Sequence, residues 1–292
     1  MAIFHSHVKI FSRGHGESAV GAAAYRSGQK LTNEYDGIIH DYTRKTGVVH
    51  TEIFLPANAP AEFADRTTLW NSVEKIEKQC NSQLAREINV ALPVELSYEQ
   101  NLSLLRRYIT ENFVNSGMTV DLAYHIKKDE NPHAHILLTM RPFNEDGTWG
   151  AKARKVDGVK VCTVDWNEHS KATEWRANWA AIGSEYLEAG GHADRIDHRS
   201  YAEQGIEKIP TIHMGVAASQ MEKRCIKTDR GDINREVIMT NSEMKQLRAR
   251  INKYNAWIDE IKDNAPPPLI EILYAISNHD TDSPLYKKLA DL

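Results

Sequence analysis

The chain has 292 residues, of which 41% are hydrophobic and 26% charged, and this composition is typical of a soluble globular protein,. Its formal net charge of −4 argues against a protein that coats nucleic acid through bulk electrostatics, although local basic patches remain compatible with DNA binding,. We expect no membrane insertion, because the sequence contains no run of 18 or more apolar residues, and no secretion, because its N-terminus does not resemble a signal peptide,. The three cysteines are far apart in the sequence, which suits a reducing cytoplasm,.

The first half of the chain predicts strands and helices in mixed order. Apolar and polar residues alternate over 2–11, which predicts a strand, and the alanine-rich stretch 18–30 predicts a helix that contains Tyr25,. Residues 33–50 are expected to be irregular or to form a hairpin. The same patterns predict strands over 48–55 and 87–92, and helices over 62–84 and 98–115,.

The second half begins with two predicted strands, over 120–126 and 133–140, that a polar turn joins,. A loop rich in Gly and Lys is expected over 144–160. Residues 165–189 predict a helix whose aromatic stripe suits core packing better than base stacking,. Strands and helices that mix without regular βαβ alternation favour an α+β domain, in which helices flank a central and mainly antiparallel sheet.

The C-terminal part of the chain reads differently and predicts a second region. We expect a domain over 1–215, followed by a mostly helical extension over 216–292,. Within the extension, a proline-rich break is expected at 265–268, and a final amphipathic helix from Leu269 onward,.

The extension also contains an apolar seam. Thr240 and Glu243 have the spacing of a capping box, which predicts that a helix begins there,. From Met244 to Ile261, apolar residues recur at alternating spacings of three and four, which is the pattern of a coiled-coil seam,. Such a seam either docks onto its own chain or joins two chains.

Three histidines form the strongest chemical pattern in the sequence. His133 and His135 are two residues apart in a predicted strand and share a face, while His125 lies on the polar face of the preceding strand,. If the hairpin turns near residues 129–130, His125 lies opposite His135 and the three imidazoles converge. Neutral imidazoles bind divalent metals, and three protein ligands leave coordination positions open, as in a catalytic site. The alternative is a set of ordinary strand histidines.

Tyr25 and Glu87 are further candidates. A tyrosine in an alanine-rich helix is usually a core residue, and spacing alone does not distinguish it from a nucleophile. Arg13, Arg26 and Lys30 lie nearby in the sequence and suit phosphate, and a phenolate can form a covalent intermediate,. Glu87 lies on the polar face of its predicted strand, where it either orients a metal ligand or is simply solvated,.

Basic residues form two groups that are candidates for contact with DNA phosphates. The first group is the looser one and comprises Arg13, Arg26, Lys30, Arg44 and Lys45. The second group is denser and comprises Lys152, Arg154, Lys155 and Lys160. We expect DNA contacts from the first three residues of each group. Such clusters are also common on solvated surfaces, which is the alternative interpretation.

Five stretches share one family pattern, and they span most of residues 1–215. They are Met1–His5, Ser12–Arg26, Ala85–Pro93, Asn131–His135 and Asp197–Tyr201. In order and spacing they resemble the MobA/MobL family of plasmid relaxases, part of the HUH endonuclease class that is named for its His-hydrophobic-His motif. Ala134, the central residue of the motif here, is small rather than bulky, as is common in this class.

The resemblance implies roles for the candidate residues. It makes Tyr25 the nucleophile, the three histidines the metal ligands and Glu87 an active-site carboxylate. It also implies an antiparallel sheet flanked by helices, with the histidine strands at its centre. Three neutral nitrogens favour Mn over Mg, but oxygens of the DNA phosphate also suit Mg, so the expected cofactor is a divalent Mn or Mg ion.

The resemblance further implies an activity and its partners. Family members nick one strand at a plasmid origin of transfer, join the tyrosine to the 5′ phosphate and rejoin the strand in conjugative mobilisation. The expected partners are plasmid DNA, as a hairpin with an adjacent single-stranded nic region, together with relaxosome accessory proteins and a coupling protein.

Two other functions are alternatives to the relaxase. One is a rolling-circle replication initiator of the HUH class, and the other is a non-catalytic DNA-binding or autoregulatory protein with the same fold. The segment 198–201 favours the relaxase over the initiator. The presence of Tyr25 together with all three histidines argues against a non-catalytic protein.

Overall fold

The computed structural model describes residues 4–126 and 132–264 of the chain. Its contacts divide the chain into two units, Met1–His198 and Arg199–Leu292. The proline-rich break expected at 265–268 and the helix expected from Leu269 lie outside the described residues.

The elements of the first unit are β1 (Ser6–Ser12), α1 (Ala19–Ser27), β2 (Lys30–Thr32), β3 (Ile39–Asp41), β4 (Val48–Phe54), α2 (Arg66–Ile76), β5 (Gln83–Ala91), α3 (Tyr98–Ile109), β6 (Val120–His125), β7 (His133–Thr139), β8 (Ala153–Val156), β9 (Val159–Cys162) and α4 (His169–Ala189). The second unit contains α5 (Gly215–Lys223) and α6 (Asp229–Asn264). A π-helical turn extends α3 through Thr110–Val114.

The main sheet has five strands in the order β1-β5-β7-β6-β4, and every neighbouring pair is antiparallel. The strands of the predicted histidine hairpin, β6 and β7, lie next to each other, with β7 in the middle of the sheet. Helices flank the sheet, and the elements described in the C-terminal unit are the helices α5 and α6. The predicted α+β class and its mainly antiparallel sheet are therefore confirmed.

Each face of the sheet is covered by its own pair of helices, because successive strand residues point to opposite faces. The face that carries Leu122 and Ile136 packs against α3 and α4. Trp175 and Trp179 of α4 are buried in that cluster, which confirms the predicted core role of the aromatic stripe. The opposite face carries Leu137 and packs against α1 and α2.

Two predicted helices end earlier than expected. The helix predicted over 18–30 stops at Ser27, because Gly28 adopts a left-handed conformation (φ 66°) and its N–H caps the carbonyl of Ala24,. Lys30 therefore belongs to a strand. The helix predicted over 62–84 ends at Ile76, where its apolar stripe ends, and Gln83 already pairs with β1.

The β8–β9 hairpin, over residues 153–162, occupies the second part of the loop predicted over 144–160 and extends past it, so that prediction was wrong there. Asp157 and Gly158 form its turn, and both have positive φ values, 50° and 82°. An Asp-Gly pair at such a turn is a strong hairpin signal, because both central residues of the turn need left-handed backbone. The hairpin presents Arg154 and Lys155 as exposed residues.

The helix start predicted at Thr240 is also wrong, because α6 runs through that position without a break. The helix is capped earlier, where the Thr228 hydroxyl accepts a hydrogen bond from the backbone N–H of Gly231 (3.1 Å),. Leu247 and Ile251 of the predicted seam are exposed in the structure. Among the helices of the described ranges, none combines the length and apolar character needed to cross a bilayer.

A buried ion pair fastens α2 to the sheet beneath it. Asp121 of β6 accepts two hydrogen bonds from the Arg66 guanidinium (2.7 and 2.8 Å) and one from the Trp70 indole (2.9 Å). Arg66 also donates to the side chain of Gln29, just beyond α1 (2.9 Å). Both side chains of this pair are almost completely buried, so each partner depends on the other for compensation,.

We expect Asp121→Ala to destabilise the protein by about 3–5 kcal/mol, because it leaves the buried Arg66 guanidinium without its counter-charge. The free energy of unfolding from urea titration measures this effect. The control is Glu111→Ala, which removes an exposed i,i+4 partner of Arg107 and is expected to cost about 0.5 kcal/mol or less,. Equal losses in the two variants would contradict the role given to the buried pair.

Candidate active site

The three histidines lie on the sheet face that α1 and α2 cover, at the end of the sheet where β6 ends and β7 begins. His125 pairs directly with His133, and His135 pairs with Ala123. The predicted pairing of His125 with His135 was therefore wrong by two residues. A shift of two keeps every side chain on its face, whereas a shift of one would have separated the histidines.

The three imidazoles converge as the sequence predicted. Their ring centroids are 5.3, 4.7 and 5.2 Å apart for the pairs 125–133, 125–135 and 133–135. One ring nitrogen from each residue lies within 4.8 Å of the other two. Within the described part of the chain, no other group of three His, Cys, Asp or Glu side chains converges in this way.

Two of the histidines are oriented by hydrogen bonds to acceptors. His125 Nε2 donates to the backbone carbonyl of Arg26, and His135 Nδ1 donates to Glu87 Oε1, each at 2.7 Å. When one ring nitrogen donates a proton, the other keeps its lone pair for a metal. Carboxylate and carbonyl acceptors of this kind commonly stand behind metal-binding histidines.

The electrostatic state of His125 also suits a ligand. Its side chain is only 2% exposed, and this burial, with a smaller contribution from the charge of Lys45, lowers its pKa to about 3. The imidazole is therefore neutral near pH 7. Three converging ring nitrogens, two of them on imidazoles that hydrogen bonds orient, fit a divalent ion and leave coordination positions for substrate oxygens,.

Glu87 is buried rather than solvated, with 5% of its surface exposed. Besides the bond from His135, it receives two hydrogen bonds from Arg26, from Nε to Oε1 at 2.6 Å and from Nη2 to Oε2 at 2.8 Å. Burial alone would raise its pKa, but the hydrogen bonds from His135 and Arg26 and their charges outweigh it and lower the pKa to about 2,. Glu87 is thus a fixed negative charge behind the triad.

Tyr25 occupies the last turn of α1 and is 45% exposed, so it is not a core residue. The ring of Tyr42 meets it edge-on at 5.2 Å, and the ammonium of Lys45 lies 3.9 Å from its ring centroid. The next residue in the helix, Arg26, accepts the hydrogen bond from His125. The helix turn that presents Tyr25 is therefore bonded directly to the triad.

The structure separates the predicted DNA-binding residues into two sets. Three of them engage carboxylates within the protein: Arg26 with Glu87, Arg13 with Glu74 (2.7 Å) and Lys152 with Glu77 (2.8 Å). The other three are exposed, and they are Lys30, Arg154 and Lys155. Lys30 makes only a long contact with Asp41 (3.6 Å) among the contacts described for it.

Sequence reasoning gave no individual role to two residues beside the site. Lys45 was only one member of a loose basic group, yet its ammonium contacts Tyr25. Asn89, on β5, pairs with His135 across the sheet, and its amide lies 3.5 Å from His135 Nδ1. The alternation of β5 places Asn89 on the same face as Glu87, and this was the available signal.

The sequence of this chain is similar to those of known mobilization and conjugal transfer proteins. A sequence profile described as the MobA/MobL family matches residues 17–224. Mobilization protein MobL of Acidithiobacillus ferridurans is 39% identical over 249 residues, which are 77% of this chain and 65% of that protein. Conjugal transfer protein TraA of Agrobacterium fabrum is 40% identical over 245 residues, which are 77% of this chain and 22% of that protein. The chain thus spans less than two thirds of these relatives' lengths.

A solved structure is also similar. It is titled "Molecular Basis of Vancomycin Resistance Transfer in Staphylococcus aureus", and it superimposes with a TM-score of 0.64 at 36% identity. The match covers 68% of this chain and 100% of that one. Since the family profile also matches most of the chain, the chain belongs to the MobA/MobL family.

Proposed function

We propose that this chain is a metal-dependent DNA strand transferase that nicks and rejoins one strand at a plasmid origin of transfer during conjugative mobilisation. The observation that carries the proposal is the 2.7 Å hydrogen bond between His125 and the carbonyl of Arg26. It ties the histidine triad to the helix turn that exposes Tyr25. The names of the relatives, which are mobilization and conjugal transfer proteins, support the biological role.

His125, His133 and His135 are the residues that would hold the divalent ion, Mn or Mg. When bound, the ion supplies polarisation of the scissile phosphate and offsets the charge that develops on its oxygens. Glu87 keeps His135 in one tautomer and one orientation, and it holds Arg26 in place through two hydrogen bonds. Its role is therefore to orient rather than to exchange a proton, since a pKa of about 2 keeps it ionised.

Tyr25 is the proposed nucleophile. Its phenolic oxygen forms a new bond to the scissile phosphorus, and the bond from phosphorus to the 3′ oxygen breaks. The phenolic proton is released, and the departing 3′ oxygen takes up a proton. One phosphoester replaces another, so the 5′ end of the strand stays attached to the protein and the reverse reaction can rejoin it.

The proposed substrate is plasmid DNA that is single-stranded at the nic site, next to a hairpin, as the family resemblance implies. Lys30, Arg154 and Lys155 are the proposed phosphate contacts. For Arg13, Arg26 and Lys152, the internal ion pairs favour a structural role instead. Accessory proteins of the relaxosome and a coupling protein are the proposed protein partners.

We expect Tyr25→Phe to abolish covalent adduct formation with oligonucleotides from the cognate transfer origin. The variant lacks only the attacking oxygen, so DNA affinity should stay within about twofold of the wild type. Denaturing gel electrophoresis detects the adduct. Tyr35→Phe, which alters an exposed tyrosine on the turn between β2 and β3, should react normally. An adduct at the wild-type level in Tyr25→Phe would rule out this nucleophile.

We expect His135→Ala to abolish tight Mn binding, and Glu87→Gln to weaken it about 10–100-fold, because the second variant keeps the histidine ligand but removes the negative charge that orients it. Isothermal titration calorimetry at constant pH measures both effects. His169→Ala, an exposed histidine at the start of α4, is the matched control. Unchanged Mn affinity in His135→Ala would exclude the triad as the metal site.

We expect the double variant Arg154→Ala with Lys155→Ala to bind single-stranded DNA less tightly and with a weaker salt dependence. Each lost phosphate contact should reduce the slope of log affinity against log salt by about 0.7. Fluorescence anisotropy over a range of salt concentrations measures the slope. The exposed pair Lys75→Ala with Lys78→Ala changes the net charge equally, and an identical slope change in both would leave the hairpin without a specific role.

A further inference from the structure

The C-terminal end of α1 has an unusual set of hydrogen-bond partners. The last carbonyls of a helix lack partners within the helix and must find them elsewhere. Here the carbonyl of Tyr25 accepts from the ammonium of Lys45, and the carbonyl of Arg26 accepts from His125, each at 2.7 Å. The carbonyls of two consecutive residues, Tyr25 and Arg26, are therefore held by two different side chains, Lys45 and His125.

Lys45 is carried by a segment, residues 39–47, that packs closely along α1. The ring of His40 lies against Gly21, where an added Cβ would come within 2.9 Å of it. At the helix end, a Cβ added to Gly28 would lie 3.3 Å from Val48 Cγ2 and 3.9 Å from Lys45 Cβ, so the Lys45 side chain starts beside the end of α1. Tyr42, in the same segment, places its ring edge-on against Tyr25. These contacts hold Lys45 at the helix end.

The position of Lys45 also has an electrostatic consequence for Tyr25. The C-terminal end of a helix carries partial negative charge, which opposes a further negative charge on a side chain of the last turn. The Lys45 ammonium bonds to this end and lies 3.9 Å from the Tyr25 ring centroid. A cation over an aromatic ring is attracted to its electrons, and the attraction grows as the phenolic oxygen becomes negative.

We propose that Lys45 is a positioning residue for the nucleophile: it holds the helix end through the carbonyl of Tyr25 and stabilises the negative charge of the attacking phenolic oxygen. The inference rests on the proposed function. It differs from that function in assigning the effect to a residue that lies outside both the metal triad and the exposed phosphate contacts.

The first test compares Lys45→Met and Lys45→Arg in single-turnover nicking at saturating oligonucleotide with Mn. We expect Lys45→Met to slow adduct formation by about tenfold or more, and Lys45→Arg to recover most of the rate, because arginine keeps both the charge and a donor. Lys78→Met, which removes an exposed cation from the segment after α2, should react at the wild-type rate. Mn affinity and DNA affinity should change by less than about twofold in all three variants.

The second test separates charge stabilisation from packing alone. Incorporating 3,5-difluorotyrosine in place of Tyr25 gives a more acidic phenol, whose negative charge needs less external support. We expect the rate penalty of Lys45→Met to shrink in this background. A penalty of the same size with both phenols would overturn the electrostatic part of the proposal.

Other outcomes distinguish the inference from the proposed function. If the wild type forms no adduct, the proposed function fails and the inference fails with it. If the wild type reacts and Lys45→Met reacts equally fast, only the inference is wrong. If Lys45→Met loses DNA affinity while keeping its rate at saturation, Lys45 contacts DNA instead and the inference is again wrong.

Discussion

The candidate site depends on the Glu87 carboxylate more than on any other single group. Its Oε1 accepts hydrogen bonds from both His135 and Arg26, so one buried charge fixes a histidine of the triad on the sheet and an arginine on α1. The charge persists in a buried position because these donors outweigh the cost of burial,. The sheet and the helix therefore form one electrostatic unit, and neither half of the site is positioned independently of the other.

Much of this arrangement could be predicted from the sequence, because successive residues of a strand point to opposite faces of the sheet. The alternation around His133 and His135 fixes which face each residue occupies, whatever residue lies opposite. The exact pairing was missed by two residues, since it depends on the length of the turn between β6 and β7, which alternation does not encode. The same alternation placed Glu87 on the polar face of β5. It could not predict that Glu87 is buried, because that burial depends on helix α1.

The basic residues show where sequence reasoning reaches its limit. A cation looks the same in a sequence whether it faces a phosphate or a carboxylate, and the partner of Arg26 is 61 positions away. The partners of Arg13 and Lys152 are similarly far away in the sequence: Glu74 lies in the last turn of α2 and Glu77 directly follows that helix. The β8–β9 hairpin was missed for another reason. The glycines and lysines of that stretch favoured a loop, and the Asp157-Gly158 pair, which is a local signal for a hairpin turn, was not used,.

The alanines of α1 have a geometric consequence for the chemistry proposed here. Ala22, Ala23 and Ala24 are buried in the cluster that includes Leu137 of the sheet, and their methyl groups let the helix backbone come close to the strands. Because side-chain size sets the separation between packed elements, bulkier residues would raise the helix and break the direct contact between its carbonyl and His125,. The distance between the helix turn that carries Tyr25 and the histidine triad is thus determined by the smallest side chains of the helix, none of which belongs to the proposed reactive groups.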